Sequence, residues 1–407
     1  MLRRCADWDY CSPGIYQITL VLADRHSAAL GRLVTGAADD GAEARVELSE
    51  IGTVVLDEWR RIGQFTPEIS PLFLQIMPDH VHGILQVTRR MAKPLGSAIG
   101  GFKTGSSKAA TGKPGLWGKG FQDTILFHEG QLNAMFHYLR DNPRRLAVKR
   151  KMPELFRVNR NLTVTLPRHA QNKPPSVPGA EGVAHTLSAP CPVPGAEGSL
   201  SVPCPVPGAE APGFLAHFAA IGNHFLLDAP HLLQVQCSRS EFAYRRVPKP
   251  GGGRKIERAT DGTPLIEKAS PTFETKCREL LTAARHGAVL VSPCISDGER
   301  EMARLAFRSG AAVVVLRNKG FSPLYKPGGK LFDQTVNGKL LLLAPAAWPY
   351  TPGEKPMTRL DACVMNRLSQ LIAGEGAVEI NYKGMTPNDI DGLVRKAVAA
   401  TSLPPYL

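Results

Sequence analysis

The sequence predicts an α+β domain followed by an α/β domain, with an unfolded connector between them. Three observations predict this. At 407 residues, 43% hydrophobic and 21% charged, the chain is long enough for two or three ordinary domains and apolar enough to give them cores. Residues 169–213 are rich in Pro, Gly, Ser and Ala and repeat the unit VPGAE at Val177, Val193 and Val206. So little apolar surface cannot offset the entropy of ordering, and frequent prolines favour extended chain. Beyond this tract, β-branched runs alternate with amphipathic stretches, the pattern of a parallel sheet covered on both faces. The predicted divisions are therefore 1–168, 169–213 and 214–407.

The elements follow in order. Ile15–Ala23 is a short run of Ile, Thr, Leu and Val and reads as a strand. Over Leu48–Gln64, Ile51, Val54, Val55 and Trp59 recur with helical spacing. Leu72–Val87 reads as two strands broken at Met77–Pro78, because proline cannot donate to a central ladder. Gly100–Gly120, rich in glycine and lysine, is expected to be a loop or a short basic helix. Gln131–Lys149 is helical up to Asn142–Pro143, where proline punctuates it. After the tract, Leu232–Arg239 predicts a strand entering a turn. Helices over Phe273–His286, Gly298–Ser309 and Arg359–Ala373 then alternate with the strands AVLVS, AAVVVLR and LLLLAP.

Composition excludes several classes. No apolar run approaches the ~18–20 residues of a membrane span. Two arginines near the N-terminus are not followed by the apolar core of a secretory signal. The eight cysteines form no CxxC pair, so reduced thiols in the cytoplasm are expected. The net charge of +13 is concentrated: Arg89–Pro175 carries 17 basic and 4 acidic residues, and the rest of the chain is balanced. A basic excess confined to one stretch points to a polyanion, most often nucleic acid.

Two motifs carry chemistry. In Pro78-Asp79-His80-Val81-His82-Gly83, residues two apart on a strand share a face, so His80 and His82 project together with Val81 behind them. Paired imidazoles suit a divalent cation, which needs a further ligand from elsewhere. In Phe136-His137-Tyr138-Leu139-Arg140-Asp141-Asn142-Pro143-Arg144-Arg145, Tyr138 and Asn142 stand at i and i+4 on one helix face. Asp141, at i+3, competes with Asn142 as a ligand. Arg140, Arg144, Arg145, Lys149, Arg150 and Lys151 give phosphate-pairing capacity around the tyrosine. Trp117 is a candidate to stack a splayed base.

These pieces, together with Asp9-Tyr10, Pro13-Gly14-Ile15-Tyr16 and Leu116-Trp117-Gly118-Lys119-Gly120-Phe121-Gln122-Asp123, occur in the order found in single-tyrosine HUH transposases. The region 1–165 resembles their REP-associated tyrosine transposase group. The resemblance implies a ferredoxin-like α+β domain with a central antiparallel sheet. It implies cleavage and rejoining of single-stranded DNA at small hairpins through a 5′-phosphotyrosine, with Tyr138 as nucleophile. Mg²⁺ or Mn²⁺ would be held by His80, His82 and Asn142. Whether one chain or a homodimer completes the site is left open. A protein that holds DNA hairpins without turnover is the alternative.

Residues 214–375 resemble the Rossmann-like domain of the DNA-processing protein A family. The resemblance rests on Gln236-Cys237-Ser238-Arg239, on Val291-Ser292-Pro293-Cys294-Ile295-Ser296-Asp297-Gly298-Glu299, on Gly320-Phe321-Ser322-Pro323-Leu324-Tyr325-Lys326-Pro327 and on Leu343-Ala344-Pro345. A strand entering Ser-Asp-Gly at a helix start offers unpaired N–H groups to an anion. Ser238, Arg239, Ser296 and Gly298 are thus the expected phosphate-binding residues, with a nucleotide or single-stranded DNA as ligand. A protein acting mainly through this nucleotide site is the second alternative.

Overall fold

A computed structural model of the chain describes residues 8–36, 41–126, 129–167, 213–248, 253–323, 325–352, 356–374 and 384–400. It divides into two units, residues 1–153 with 258–263, and residues 154–257 with 264–407.

In the first unit the elements are β1 (Gly14–Val21), β2 (Gly31–Val34), β3 (Arg45–Leu48), α1 (Glu50–Arg60), α2 (Ile62–Phe65), β4 (Ile69–Met77), β5 (His80–Val87), α3 (Leu95–Thr111), β6 (Gln122–Leu126), α4 (Glu129–Arg140) and α5 (Asn142–Lys151). The main sheet has the order β4-β5-β1-β6 and is antiparallel throughout. This is the α+β antiparallel unit the sequence predicts. Pro78 falls in the β4–β5 turn, and Pro71 is tolerated because β4 is an edge strand with a register shift there.

One face of this sheet buries the core. Tyr16, Ile18 and Leu20 alternate along β1, and Val81, Leu85 and Val87 along β5; all lie under α1 and α3 in one apolar cluster. Of the loop and the short basic helix expected over 100–120, the structure has the helix, longer than expected: α3 runs 17 residues through Thr111. Leu95, Ile99, Phe102 and Ser106 form its buried stripe, and Phe102 meets Trp59 edge-on with centroids 5.2 Å apart. Packing of that stripe outweighs the poor helix propensity of its glycines.

Gly83 lies on this core face, where a Cβ would overlap the Trp59 indole. Trp59 is held by its neighbours and cannot retreat, so Gly83→Ala is expected to cost about 2 kcal/mol by overpacking. A urea unfolding curve checks this, and a midpoint equal to wild type would contradict the packing.

The second unit contains β7 (Asn159–Leu166), β8 (Phe214–Gly222), β9 (Leu232–Gln234), two small ribbons formed by β10 (Phe242–Tyr244), β11 (Arg246–Pro248), β12 (Arg254–Ile256) and β13 (Ile266–Ala269), then α6 (Pro271–Arg285), β14 (Val289–Ser292), α7 (Asp297–Arg308), β15 (Val313–Leu316), α8 (Lys330–Val336), β16 (Leu340–Pro345), α9 (Arg359–Ala373) and α10 (Pro387–Ala397). Its sheet has the order β7-β8-β16-β15-β14-β9. Strands β9, β14, β15 and β16 are parallel, as the alternation predicts, while β8 and β7 add an antiparallel edge. Val291, Val314 and Leu343 pack on one side with Leu368 and Val394 of α9 and α10. Leu290 and Val313 pack on the other with Phe273 and Met302 of α6 and α7.

The predicted division at residue 168 is corrected by β7. Its alternating Leu162, Val164 and Leu166 join the core of the second unit, and Leu166 pairs with Phe214 of β8. The repeat tract, of which only Gly213 is among the described residues, therefore leaves and rejoins one hairpin of the second unit. The change of unit falls at Pro153.

Among the described residues no helix is long and apolar enough to cross a membrane, and Cys11, Cys237, Cys277, Cys294 and Cys363 are free thiols.

Candidate active site

The register of the main sheet places the two histidines. Thr19 and Gln75 flank His82, and Val21 and Met77 flank His80. Directly opposed residues share a face. His80, His82, Gln17, Thr19, Gln75 and Phe73 therefore stand on the face opposite the α1/α3 core. The imidazoles lie side by side, with ring centroids 4.8 Å apart.

Each ring is fixed through its inner nitrogen. Asp79 Oδ1 lies 2.6 Å from His80 Nδ1, and Arg25 Nε donates to Asp79 Oδ2 at 3.2 Å. With the carboxylate as acceptor, His80 carries its proton on Nδ1 and presents the Nε2 lone pair. His82 Nδ1 lies 2.9 Å from Thr19 Oγ1, which also accepts from Gln17 Nε2 at 2.8 Å. Gln17 Nε2 also lies 3.3 Å from His82 Nδ1, and the tautomer in which Nδ1 donates to the Thr19 hydroxyl is the one that leaves Nε2 of His82 free. This is the outer-shell arrangement of metal-binding histidines. Burial, reinforced by the neighbouring His80, pushes the His82 pKa down to about 4, so its ring is neutral at pH 7 and ready to coordinate. Burial opposes ionisation of Asp79, but hydrogen bonds from His80 and Arg25 still hold its carboxyl below the ordinary value.

The tyrosine helix packs on the same face. Phe136 of α4 meets Phe73 of β4 edge-on at 5.6 Å, and the Arg140 guanidinium lies 5.6 Å from the Phe73 ring centroid. Tyr138 is 45% exposed. The helix pauses at Asp141 and resumes as α5, with Pro143 in its first turn, where the missing N–H is not needed. Asp141 keeps helical backbone angles (φ −78°, ψ −8°), and Arg145 N–H still donates to its carbonyl. Asn142 is 9% exposed, and its Nδ2 is buried without a hydrogen-bond partner. Both oxygens of Asp141 are engaged, Oδ1 by Arg144 Nε at 2.5 Å and Oδ2 by Arg145 Nε at 2.8 Å. Among the described residues, neither Tyr138 nor Asn142 hydrogen-bonds to the histidines, and no three His, Cys, Asp or Glu side chains form a metal cluster. Among the described residues, a third ligand to this pair would be an amide, a hydroxyl or a backbone oxygen.

The basic residues separate into different roles. Arg150 and Lys151 are exposed at the end of α5, while Lys149 is half-buried. Arg145 is buried, and its guanidinium lies 5.1 Å from the Tyr138 ring centroid. Trp117 does not offer a stacking surface. It is 7% exposed in the core, with Nε1 donating to Ser106 Oγ at 2.9 Å. Sequence reasoning missed Gln17, Thr19 and Asp79 as supports of the pair. The available signal was two polar residues, two apart, in the otherwise apolar β1. The loop at Gly118 is brought beside Val21, the register partner of His80, by Gly118 N–H donating to Val21 O. Lys103 Nζ fixes that loop by donating to the carbonyls of Gly118 and Gly120.

The predicted phosphate crevice in the second unit is corrected. Ser296 caps α7 in a capping box with Glu299, whose carboxylate accepts from the N–H groups of Ile295 and Ser296 at 2.6 and 3.2 Å. The anion position at this helix start is filled by the chain itself. Asp297 adds a second carboxylate, paired with Arg246 at 2.7 Å. Gly298 is required because a Cβ there would overlap Cys237 Sγ. Ser238 N–H donates to Glu241 Oε2 at 3.0 Å, and Arg239 is exposed beside it. Glu299→Ala would orphan the buried Ser296 amide and the half-buried Ile295 amide and is expected to cost about 2 kcal/mol. Thermal unfolding of the full chain checks this, and an unchanged midpoint would argue against the capping role.

No known protein family matches the chain as a whole or in part. A Haemophilus influenzae protein of uncharacterised function is 21% identical over 163 residues, covering 34% of this chain and 86% of its own. Among solved structures, a REP-associated tyrosine transposase bound to a REP hairpin is similar over 36% of this chain and 76% of its own, at 14% identity and a TM-score of 0.28. A Deinococcus radiodurans R1 protein, described provisionally as a transposase, is similar over 34% of this chain and 97% of its own, at 14% identity and a TM-score of 0.21.

Proposed function

We propose that this chain is a metal-dependent single-stranded DNA nickase and strand transferase, a transposase-type enzyme that acts at hairpins through Tyr138. The observation that carries the reading is the pairing of His80 and His82. Their inner nitrogens are tied to Asp79 and Thr19, and they stand on the sheet face against which the Tyr138 helix packs.

The residues fit a divalent cation. His82, kept neutral by burial, stands beside His80 on one sheet face, and Asn142, whose side-chain amide offers an oxygen ligand, opens the helix that follows Tyr138. Asp141 is less suited, because two arginines already hold its carboxylate. Mg²⁺ or Mn²⁺ bound by His80, His82 and Asn142 would supply Lewis-acid polarisation of the scissile phosphate.

The chain's own residues do the rest. Tyr138 Oη attacks phosphorus, the P–O3′ bond breaks, the phenolic proton is lost and the leaving 3′-oxygen takes one up. One phosphodiester replaces another, so a 3′-OH can reverse the step and rejoin strands without a nucleotide cofactor. Arg150 and Lys151 bind flanking phosphates, which positions DNA without reading its sequence.

The test is incubation of the full chain with labelled single-stranded hairpins, drawn from DNA flanking its own gene, with Mn²⁺ or with EDTA. A covalent protein–DNA band on a denaturing gel that requires Mn²⁺ is expected. Binding on a native gel with no covalent band for any hairpin would replace this reading with that of a hairpin-holding protein.

A further inference from the structure

We infer that Arg145 is a positioning residue for the Tyr138 nucleophile and not a contact to DNA phosphate. The inference rests on the proposed function and assigns a role within the same site. Arg145 is unlike its basic neighbours. Its side chain is 9% exposed, and its Nε donates to Asp141 Oδ2 at 2.8 Å. Its Cζ lies 5.1 Å from the Tyr138 ring centroid, within cation–π range. Tyr138, Asp141 and Arg145 stand at i, i+3 and i+7, so one face crosses the helix break and joins all three.

A tyrosine that is 45% exposed on a helix can turn among rotamers. The guanidinium against its ring favours one of them, and Asp141 sets where that guanidinium stands. Asp141 is shared between Arg144 and Arg145, which holds both guanidinium groups on this face. Orientation of this kind acts on the rate of attack, not on affinity for DNA. A phosphate contact would do the opposite, weakening binding and reducing its salt dependence.

The experiment compares Arg145→Met, Arg145→Lys, Asp141→Asn and the Met/Asn double variant in the full chain, with the labelled hairpin and Mn²⁺. Arg145→Met is expected to slow covalent adduct formation at saturating DNA by about 100-fold, with hairpin Kd and its salt slope unchanged. Arg145→Lys recovers little, since an ammonium lacks the planar fork. Asp141→Asn slows the reaction less, and the double variant is no slower than Arg145→Met alone, because the two residues act as a unit.

A raised Kd with an unchanged saturated rate would overturn the inference in favour of a phosphate contact, and an unchanged rate and Kd would overturn it outright. A second readout does not need turnover. In protein carrying 3-fluorotyrosine, the ¹⁹F resonance of Tyr138, identified by its loss in Tyr138→Phe, is expected to shift in both Arg145→Gln and Asp141→Asn. A resonance unmoved in both sinks the inference even where the wild type forms no adduct. A shifted resonance without any adduct would count against the proposed function alone.

Discussion

Tyr138→Phe is expected to abolish the covalent protein–DNA band while leaving hairpin binding intact. Phenylalanine keeps the ring that faces Arg145 and removes only the oxygen that forms the new bond to phosphorus. Losing a nucleophile that no neighbour replaces costs about 10⁴-fold or more in rate. Tyr138 is half exposed and makes no hydrogen bond among the described residues, so stability is expected to change by less than about 0.5 kcal/mol. Denaturing and native gels run on the same samples separate the two readouts. An adduct retained by the variant would place the nucleophile on another side chain.

His82→Ala carries the second largest effect. The ring is buried among Gln17, Thr19 and His80, and it is kept neutral by burial, so it meets a cation without a proton to displace. Removing it takes away one of two imidazoles and is expected to lower Mn²⁺-dependent adduct formation by at least about 100-fold. Thr19→Val, which leaves both imidazoles but frees the inner nitrogen of His82, is expected to cost about 10-fold through metal affinity. Titration with Mn²⁺ distinguishes them, because the Thr19 variant regains activity at higher metal and the His82 variant does not. Equal activity of all three proteins at limiting Mn²⁺ would remove the metal role from this pair.

Much of this was legible before any tertiary contact was considered. The two-residue period of a strand puts His80 and His82 on one face whatever the strand pairs with, and β5 has them there. The 3.6-residue period predicts one face for Tyr138 and Asn142, but the helix is divided between them at Asp141 into α4 and α5, with Tyr138 half exposed and Asn142 buried. The alternation of Val- and Leu-rich runs with amphipathic helices gave the parallel strands of the second unit. Composition left the region of α3 open between loop and short basic helix, and the buried stripe of Leu95, Ile99 and Phe102 decides for the helix.

The misses were of another kind. Ser296-Asp297-Gly298 reads as an anion site from its local pattern, but the decision lay three residues on, with the Glu299 carboxylate folded back onto the cap amides. Trp117 reads as a stacking platform in a basic, glycine-rich loop until Ser106, on a different element, takes its indole N–H. Asp141 and Asn142 are adjacent and equally suited as ligands on paper. Only the side chains of Arg144 and Arg145 show that the carboxylate is already occupied.

By itself, then, the sequence determined which residues share a face and which segments become strand or helix, because both follow from short-range periodicity and backbone preference. The tertiary structure decided which strands become neighbours and which polar groups are already satisfied. It assigned β7 to the sheet of the second unit across the repeat tract, and it placed the α4 helix on the histidine face through Phe73 and Phe136. Those outcomes depend on contacts between residues far apart in the chain, whose partners are chosen by the burial of whole surfaces and not by any local run of residues.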